Sequence, residues 1–273
     1  MRLISLLLSV VLYTSLIIHP DSAIGFGGCE KDCKSCHTLT IKEAQSLLFE
    51  FDKKIIVKNV EASPSRGLWE VSFLVDNQQA IGYIDFAKAN FIHGNIIKLD
   101  TKQNLTRDHL IDLNYANAEK LDVKKIPITD AIVIGEPKAK KKVIVFTDPD
   151  CPYCSKLHQE ITALVKERND IVFLIKMYPL ISIHKDSYKK SKIVVCEKTI
   201  DMLEKAYNKK PLPETSCDTN IVDETIRLAE KLGITGTPAL VLPDGRLIKS
   251  FLSAYDINRL IPEDQTPEKP ISK

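Results

Sequence analysis

The apolar and polar positions divide the chain into two unlike halves. Thr40 and Glu43 form a capping-box pair at the head of "TIKEAQSLLFEF", whose apolar spacing predicts a short amphipathic helix. Four strand-like runs come next, "KIIVKNV", "LWEVSFLV", "AIGYIDFA" and "FIHGNIIKL", separated by turn chemistry such as "ASPSRG" and "VDNQQ". One helix and a meander of strands predict a small α+β domain over residues 38–113. A unit of that size holds a limited core, so a partner surface is expected of it. "LNYANAEKLDVKK" then predicts a linker helix, assigned to 114–129 and closed by Ile126-Pro127.

The second half, 130–262, alternates strands with helices. "AIVIG" and "VIVFTD" read as buried strands, and the lysine run "EPKAKKK" between them as a solvated turn. A helix is predicted near 152–168, then the strand "IVFLIKMY", a helical stretch over 186–208 and a helix near 219–232. The strand "PALVLP", the turn "PDGR", the strand "LIKSF" and a last short helix complete it. Such a mixture around a central Cys-x-x-Cys predicts a thioredoxin-like layer architecture with a helical insertion. Residues 263–273 read as a flexible tail.

The first residues, "MRLISLLLSVVLYTSLIIHPDSAIGFGG", have the form of a secretory leader. Arg2 precedes an apolar core from Leu3 to Ile18, and small residues around Ala23 suit cleavage, giving a signal peptide over 1–23. That core is short of the roughly 20 residues needed to span a bilayer, so the mature chain is expected to be exported. Lys+Arg of 38 against Asp+Glu of 36 leaves a formal charge of +2, which gives no electrostatic argument for a nucleic-acid partner. Export changes the meaning of the seven cysteines, because thiols outside the cytosol tend to become disulfides. An odd count leaves at least one free, joined to another molecule or carrying a cofactor.

The chemistry centres on "DPDCPYCSKLHQE", residues 148–160. With Cys151 at a helix N-cap, Pro152 takes the first helical position, where a missing N–H costs nothing. The unpaired amides and dipole of that turn favour a thiolate on Cys151, whereas Cys154 is expected to be more buried and less ionised. Asp148 and Asp150 oppose a further negative charge nearby. His158 reads either as a tuning group or as a helix-surface histidine. Zinc held with Cys196 and Cys217, or a permanently closed disulfide, would use the same pair. A helix start directly after a buried strand favours redox exchange. Thr237-Pro238, ahead of an apolar strand, adds a candidate cis proline that would leave neighbouring backbone free to pair with a substrate segment.

Through "VIVFTDPDCPYCSKLH", "LGITGTPALVLPDGRLI" and the intervening Cys196 and Cys217, the chain resembles the DsbC/DsbG family of periplasmic disulfide isomerases. The small strand domain ahead of the linker extends the resemblance to nearly the whole chain beyond residue 40. It implies that Cys151 is the nucleophile and Cys154 the resolving cysteine. Thr237, cis Pro238 and Tyr153 would bind substrate, and Cys196 and Cys217 would form a structural disulfide. It further implies a cystatin-like N-terminal dimerisation domain, a V-shaped homodimer and a cleft for misfolded exported proteins with wrong disulfides. A DsbD-like membrane electron donor would keep the active-site pair reduced. Pro152-Tyr153 is closer to the DsbG branch, while Thr237 and the second cysteine pair point to DsbC. The expected function is periplasmic isomerisation or reduction of non-native disulfides, with no metal and no required cofactor. A disulfide oxidase is the nearest alternative, and a chaperone that only binds unfolded chains is another.

A Cys-rich segment, 24–37, stands outside that resemblance. Cys33-x-x-Cys36-His37 has the spacing for covalent haem c, with two thioethers and His37 as proximal ligand. Met177, Met202, His93 or His109 would then be candidates for a sixth ligand, and the chain would be a haem-c electron-transfer protein. The same residues are compatible with a Cys33–Cys36 disulfide that leaves Cys29 free or bridging two subunits. Zinc on Cys29, Cys33, Cys36 and His37, or a lipid on Cys29, completes the set.

Overall fold

The computed structural model describes residues 37–263. The leader, Cys29, Cys33, Cys36 and the tail beyond Glu263 lie outside the described residues. Helix α1 (Ile41–Phe51) begins with the expected box: the Thr40 hydroxyl accepts the Glu43 N–H at 3.2 Å, and the Glu43 carboxylate accepts the Thr40 N–H at 2.8 Å. It packs on an antiparallel meander of β1 (Ile56–Ala62), β2 (Leu68–Val75), β3 (Gln78–Asp85) and β4 (Phe91–Ile92), in that spatial order. The β2–β3 hairpin turns on Asp76 and Asn77, both at positive φ (49° and 64°), which matches the right-handed twist of the strands.

Strand parity separates the two faces of this sheet. Trp69, Val71 and Phe73 of β2 join Ala44 and Leu48 of α1 in one apolar cluster. Glu70, between them in sequence, is buried on the opposite face, where α2 (Leu105–Tyr115) covers it. The run "FIHGNIIKL" is a strand only at Phe91–Ile92. Beyond it the start of α2 takes the backbone: the Ile96 N–H donates to Thr106 Oγ1 at 2.8 Å, and the Leu105 N–H donates to the Ile96 carbonyl at 2.9 Å.

The linker differs from the expected 114–129 helix. The helix lies earlier, at Leu105–Tyr115, because the Asn104 side chain caps it by accepting the Arg107 N–H at 2.9 Å. Residues 116–122 are not helical, and the rest of the linker contains a single 3-10 turn at Val123–Lys125. Glu119 and Leu121 are drawn out straight because their backbones bond Leu247 and Gly245, each at 2.8 Å. Gly245, at φ +89°, is required here: a Cβ would lie 2.4 Å from the Leu121 carbonyl oxygen.

The second sheet has the order β5 (Ile132–Gly135), β7 (Ile171–Met177), β6 (Lys141–Thr147), β8 (Ala239–Val241), β9 (Leu247–Ile248). Only β6 and β7 pair in parallel. Both are apolar almost throughout because both faces are covered. Val143, Val145, Phe173 and Ile175 face α3 (Pro152–Glu167) and α7 (Ala254–Leu260), whereas Ile144, Phe146, Val172 and Leu174 face Ala229 of α6 (Ile221–Lys231) and Ile126 of the linker. Lys138 and Lys140 of the β5–β6 turn are exposed, as the lysine run predicts. At the far end of α3, the buried Arg168 donates to both Asp170 oxygens (2.9 and 2.7 Å), Asn258 and the Ile261 carbonyl, tying α3 to α7.

The helical stretch 186–208 is two helices, α4 (Ser187–Glu197) and α5 (Ile200–Tyr207). Lys198 turns left-handed (φ 52°) and the Thr199 hydroxyl caps the second by accepting the Met202 N–H. Cys196, in the last turn of α4, is disulfide-bonded to Cys217, which excludes both as zinc ligands and fastens the strandless loop ahead of α6. With the cysteines 21 positions apart, the cross-link removes about 3 kcal/mol of unfolded-chain entropy. A Cys196→Ala, Cys217→Ala chain should lose about that much stability in urea denaturation while keeping its folded circular-dichroism spectrum.

Candidate active site

β6 ends at Thr147, and Asp148-Pro149-Asp150 turns the chain into α3. Cys151 occupies the N-cap in extended conformation (φ −79°, ψ 121°) and Pro152 takes the first helical position. The Cys154 and Ser155 N–H groups both donate to the Cys151 carbonyl at 3.1 Å. Neither of these two cysteines is disulfide-bonded; Cys151 is 5% exposed and Cys154 1%. Cys154 therefore lies deeper, as its position one turn into the helix predicts.

The two thiols are polarised in opposite senses. Cys151 is lowered from 9.0 to about 6, first by the Cys154 thiol donating to it, then by the Cys154 N–H, the Thr237 side chain and the Tyr153 N–H, against the cost of burial. Burial, together with the neighbouring Cys151, pushes Cys154 well above the usual thiol range. The result is one thiol shifted toward its ionised form beside one shifted toward its protonated form.

Thr237-Pro238 is a cis peptide, and the Thr237 carbonyl lies 3.5 Å from Cys151 Sγ. The fold thus brings Cys151, Cys154, Thr237 and Pro238 together from two distant stretches of sequence. Tyr153 is 58% exposed beside them, with the Lys156 ammonium 5.7 Å from its ring centre.

The carboxylates near Cys151 are each engaged by other groups. Asp148 has no exposed surface; its carboxylate accepts the Asp150 N–H (2.7 Å) and the Leu180 N–H (2.6 Å) and pairs with His184 Nδ1 (3.0 Å). Asp150 is paired with Lys190 of α4. Both carboxylates are thereby tied to the loop and helix after β7. That loop carries Ile181 and Ile183 into solvent, 48% and 67% exposed, next to the active-site turn. Neither this apolar rim nor the Asp148–His184 contact had a sequence signal, since "PLISIHKD" matches no motif.

His158 is not a surface histidine. It is buried, packs against Tyr207 and reaches Glu204 at 3.2 Å, while the Tyr207 hydroxyl meets Thr147 Oγ1 at 2.5 Å. Of the haem motif only His37 is among the described residues, and its ring stacks on Phe86 with centroids 4.8 Å apart. Of the candidate sixth ligands, Met177 is packed in the second-domain core and His109 is engaged by Glu70 and Glu61.

Residues 128–263 match the thioredoxin-like domain family. A probable thiol:disulfide interchange protein DsbC from Bordetella avium is 31% identical over 184 residues, 65% of this chain and 59% of that protein. The thiol:disulfide interchange protein DsbC of Pasteurella multocida is 27% identical over 226 residues, 81% of this chain and 91% of that one. Among solved structures, a disulfide interchange protein from Neisseria gonorrhoeae is 30% identical with a TM-score of 0.44, covering 50% of this chain and 95% of that one. The chain spans less than two thirds of the Bordetella relative's length. Residues 128–263 are thus a thioredoxin-like domain, in a chain similar to thiol:disulfide interchange proteins named DsbC.

Proposed function

We propose that this protein is an exported thiol:disulfide interchange enzyme that isomerises or reduces wrong disulfides in other exported proteins. The observation that carries this reading is the opposite polarisation of Cys151 and Cys154 at one helix start. The Cys151 thiolate attacks one sulfur of a client disulfide, a mixed disulfide forms, and the other client sulfur leaves as a thiolate. A second client thiolate then displaces Cys151, so the client disulfide is rearranged without net oxidation. Alternatively Cys154 attacks Cys151 and gives up its proton. The client departs with two reduced sulfurs, and Cys151–Cys154 becomes a disulfide that an external dithiol, of the DsbD-like membrane donor class, must reduce.

In this reading Thr237, Pro238 and Tyr153 receive the client segment, with Ile181 and Ile183 adding apolar contact. Residues 38–113 provide dimerisation and 130–262 catalysis. Exposed Leu47, Phe49, Phe51 and Ile56 on the N-terminal unit support an apolar partner surface there. Among the described residues no helix is long and apolar enough to cross a membrane. Interchange needs no cofactor, and haem on Cys33, Cys36 and His37 takes no part in the proposed steps.

Reactivation of a scrambled multi-disulfide protein tests the reading: the wild type should catalyse it and Cys151→Ser should be inactive. Cys154→Ser should accumulate mixed disulfides with clients on non-reducing gels, because the resolving step is removed. The pH profile has a definite sign. A lowered pKa means the Cys151 thiolate is present above about 6 and lost below it, so iodoacetamide alkylation should rise through that pH and flatten above it. Cys154→Ala removes the foremost stabilising donor and should move that midpoint upward, toward the ordinary thiol value. An unmoved midpoint would show that the helix start alone sets the thiolate. Sedimentation equilibrium of the full chain should return the mass of a dimer.

A further inference from the structure

A second polar cluster lies between the first sheet and α2, remote in sequence from the cysteines and unused by interchange. Glu61 of β1 and Glu70 of β2 are register partners, and Glu70 is in turn the partner of Tyr83 on β3. The three therefore form one row across the sheet, on the face that α2 covers. From α2, Thr106 Oγ1 meets the Tyr83 hydroxyl at 2.5 Å. His109 Nδ1 is in direct contact with Glu70 Oε1 and lies 3.4 Å from Glu61 Oε1.

This arrangement is unusual as packing. Glu70 is 3% exposed, and carboxylates facing each other across a strand pair repel. One imidazole serves both. Arg259 borders the same cleft, but its guanidinium is held by Asp112. One donor atom from each of Glu61, Glu70 and His109 falls within 4.8 Å of the others. A tetrahedral zinc shell with bonds near 2.0–2.2 Å sets its donors about 3.3 Å apart, close to the Glu61–His109 separation. The direct Glu70–His109 contact would open as an ion entered between them.

The surroundings suit an ion with one exchangeable position. The cleft above the three residues has a volume of about 290 Å³ and is also lined by Gln103 and Asp108, leaving room for a coordinating water. Tyr83, the cross-strand neighbour of Glu70 with its hydroxyl on Thr106 Oγ1, flanks that carboxylate within the sheet. Imidazole and carboxylate donors without a thiolate favour zinc-like divalent ions over soft monovalent ones.

We propose that Glu61, Glu70 and His109 form a binding site for a divalent transition-metal ion of the zinc type. The ion would clamp α2 to the first sheet. The same helix meets α7 of the second domain through Arg107–Asp256, Asp108–Tyr255 and Asp112–Arg259. The bound ion would therefore steady the helix that joins the two units.

The experiment uses the full oxidised chain with residual thiols alkylated, so that cysteines cannot take the metal. Calorimetric titration with zinc chloride should show one ion per chain and a rise in Tm by mass action. Glu61 is half exposed, so Glu61→Gln should leave fold and interchange activity intact while weakening zinc binding at least tenfold. His109→Gln should weaken it comparably, with circular dichroism checking that α2 persists. No zinc binding by the wild type, unchanged affinity in Glu61→Gln, or equally tight calcium binding would each overturn the proposal.

Discussion

A single buried carboxylate organises the active-site end of the second domain. Asp148 has no solvent-exposed surface, and a carboxylate in that position is tolerable only when its oxygens are fully engaged. Its partners come from three places: the Asp150 N–H within its own turn, the Leu180 N–H beyond β7, and the His184 ring ahead of α4. The first contact shapes the turn that delivers Cys151 to the helix N-cap. The other two fix the loop that forms the apolar rim. One carboxylate thus couples the conformation of Cys151 to the position of the surface beside it.

An acidic sequence around Cys151 coexists with a lowered thiol pKa. Asp148 and Asp150 both lie within one turn of Cys151 in sequence, and each has a side-chain partner outside that turn. The groups left to act on Cys151 are a donor thiol, two amides of the first helical turn and the Thr237 side chain. All are short-range and directional, so they depend on geometry that β6, α3 and the segment before β8 must hold in register. Apolar packing on both faces of β6 and β7 supplies that rigidity, and Arg168 anchors the far end of the same helix.

Much of this was legible in the sequence where local chemistry decided the outcome. The Thr40–Glu43 box, the proline after Cys151, the Asp76-Asn77 turn and the fully apolar "IVFLI" each specify their own conformation over a few residues. Errors arose where a distant segment competed for the backbone. Residues after Tyr115 look helical in isolation, but Gly245 and Leu247 take the hydrogen bonds of 119–121. "NIIKL" alternates like a strand, but Thr106 and Leu105 satisfy Ile96 first. The partners of Asp148, the burial of His158 and the convergence of Glu61, Glu70 and His109 are likewise products of tertiary placement, with no spacing rule to announce them.

The two units use buried polarity differently. In the second domain each of these buried charges is matched: Asp148 by amides and His184, Lys176 by Asp130 at 2.5 Å, Arg168 by Asp170. These contacts define a rigid platform on which a thiolate is held ready. In the first domain Glu70 faces another carboxylate and shares a single imidazole with it. An apolar residue at position 70 would pack beneath α2 without that electrostatic cost. A polar row there makes the seat of α2 responsive to whatever balances its charge. Because α2 also carries three side chains that grip α7, the charge state of that row bears on how firmly the domain carrying Cys151 is joined to the rest of the chain.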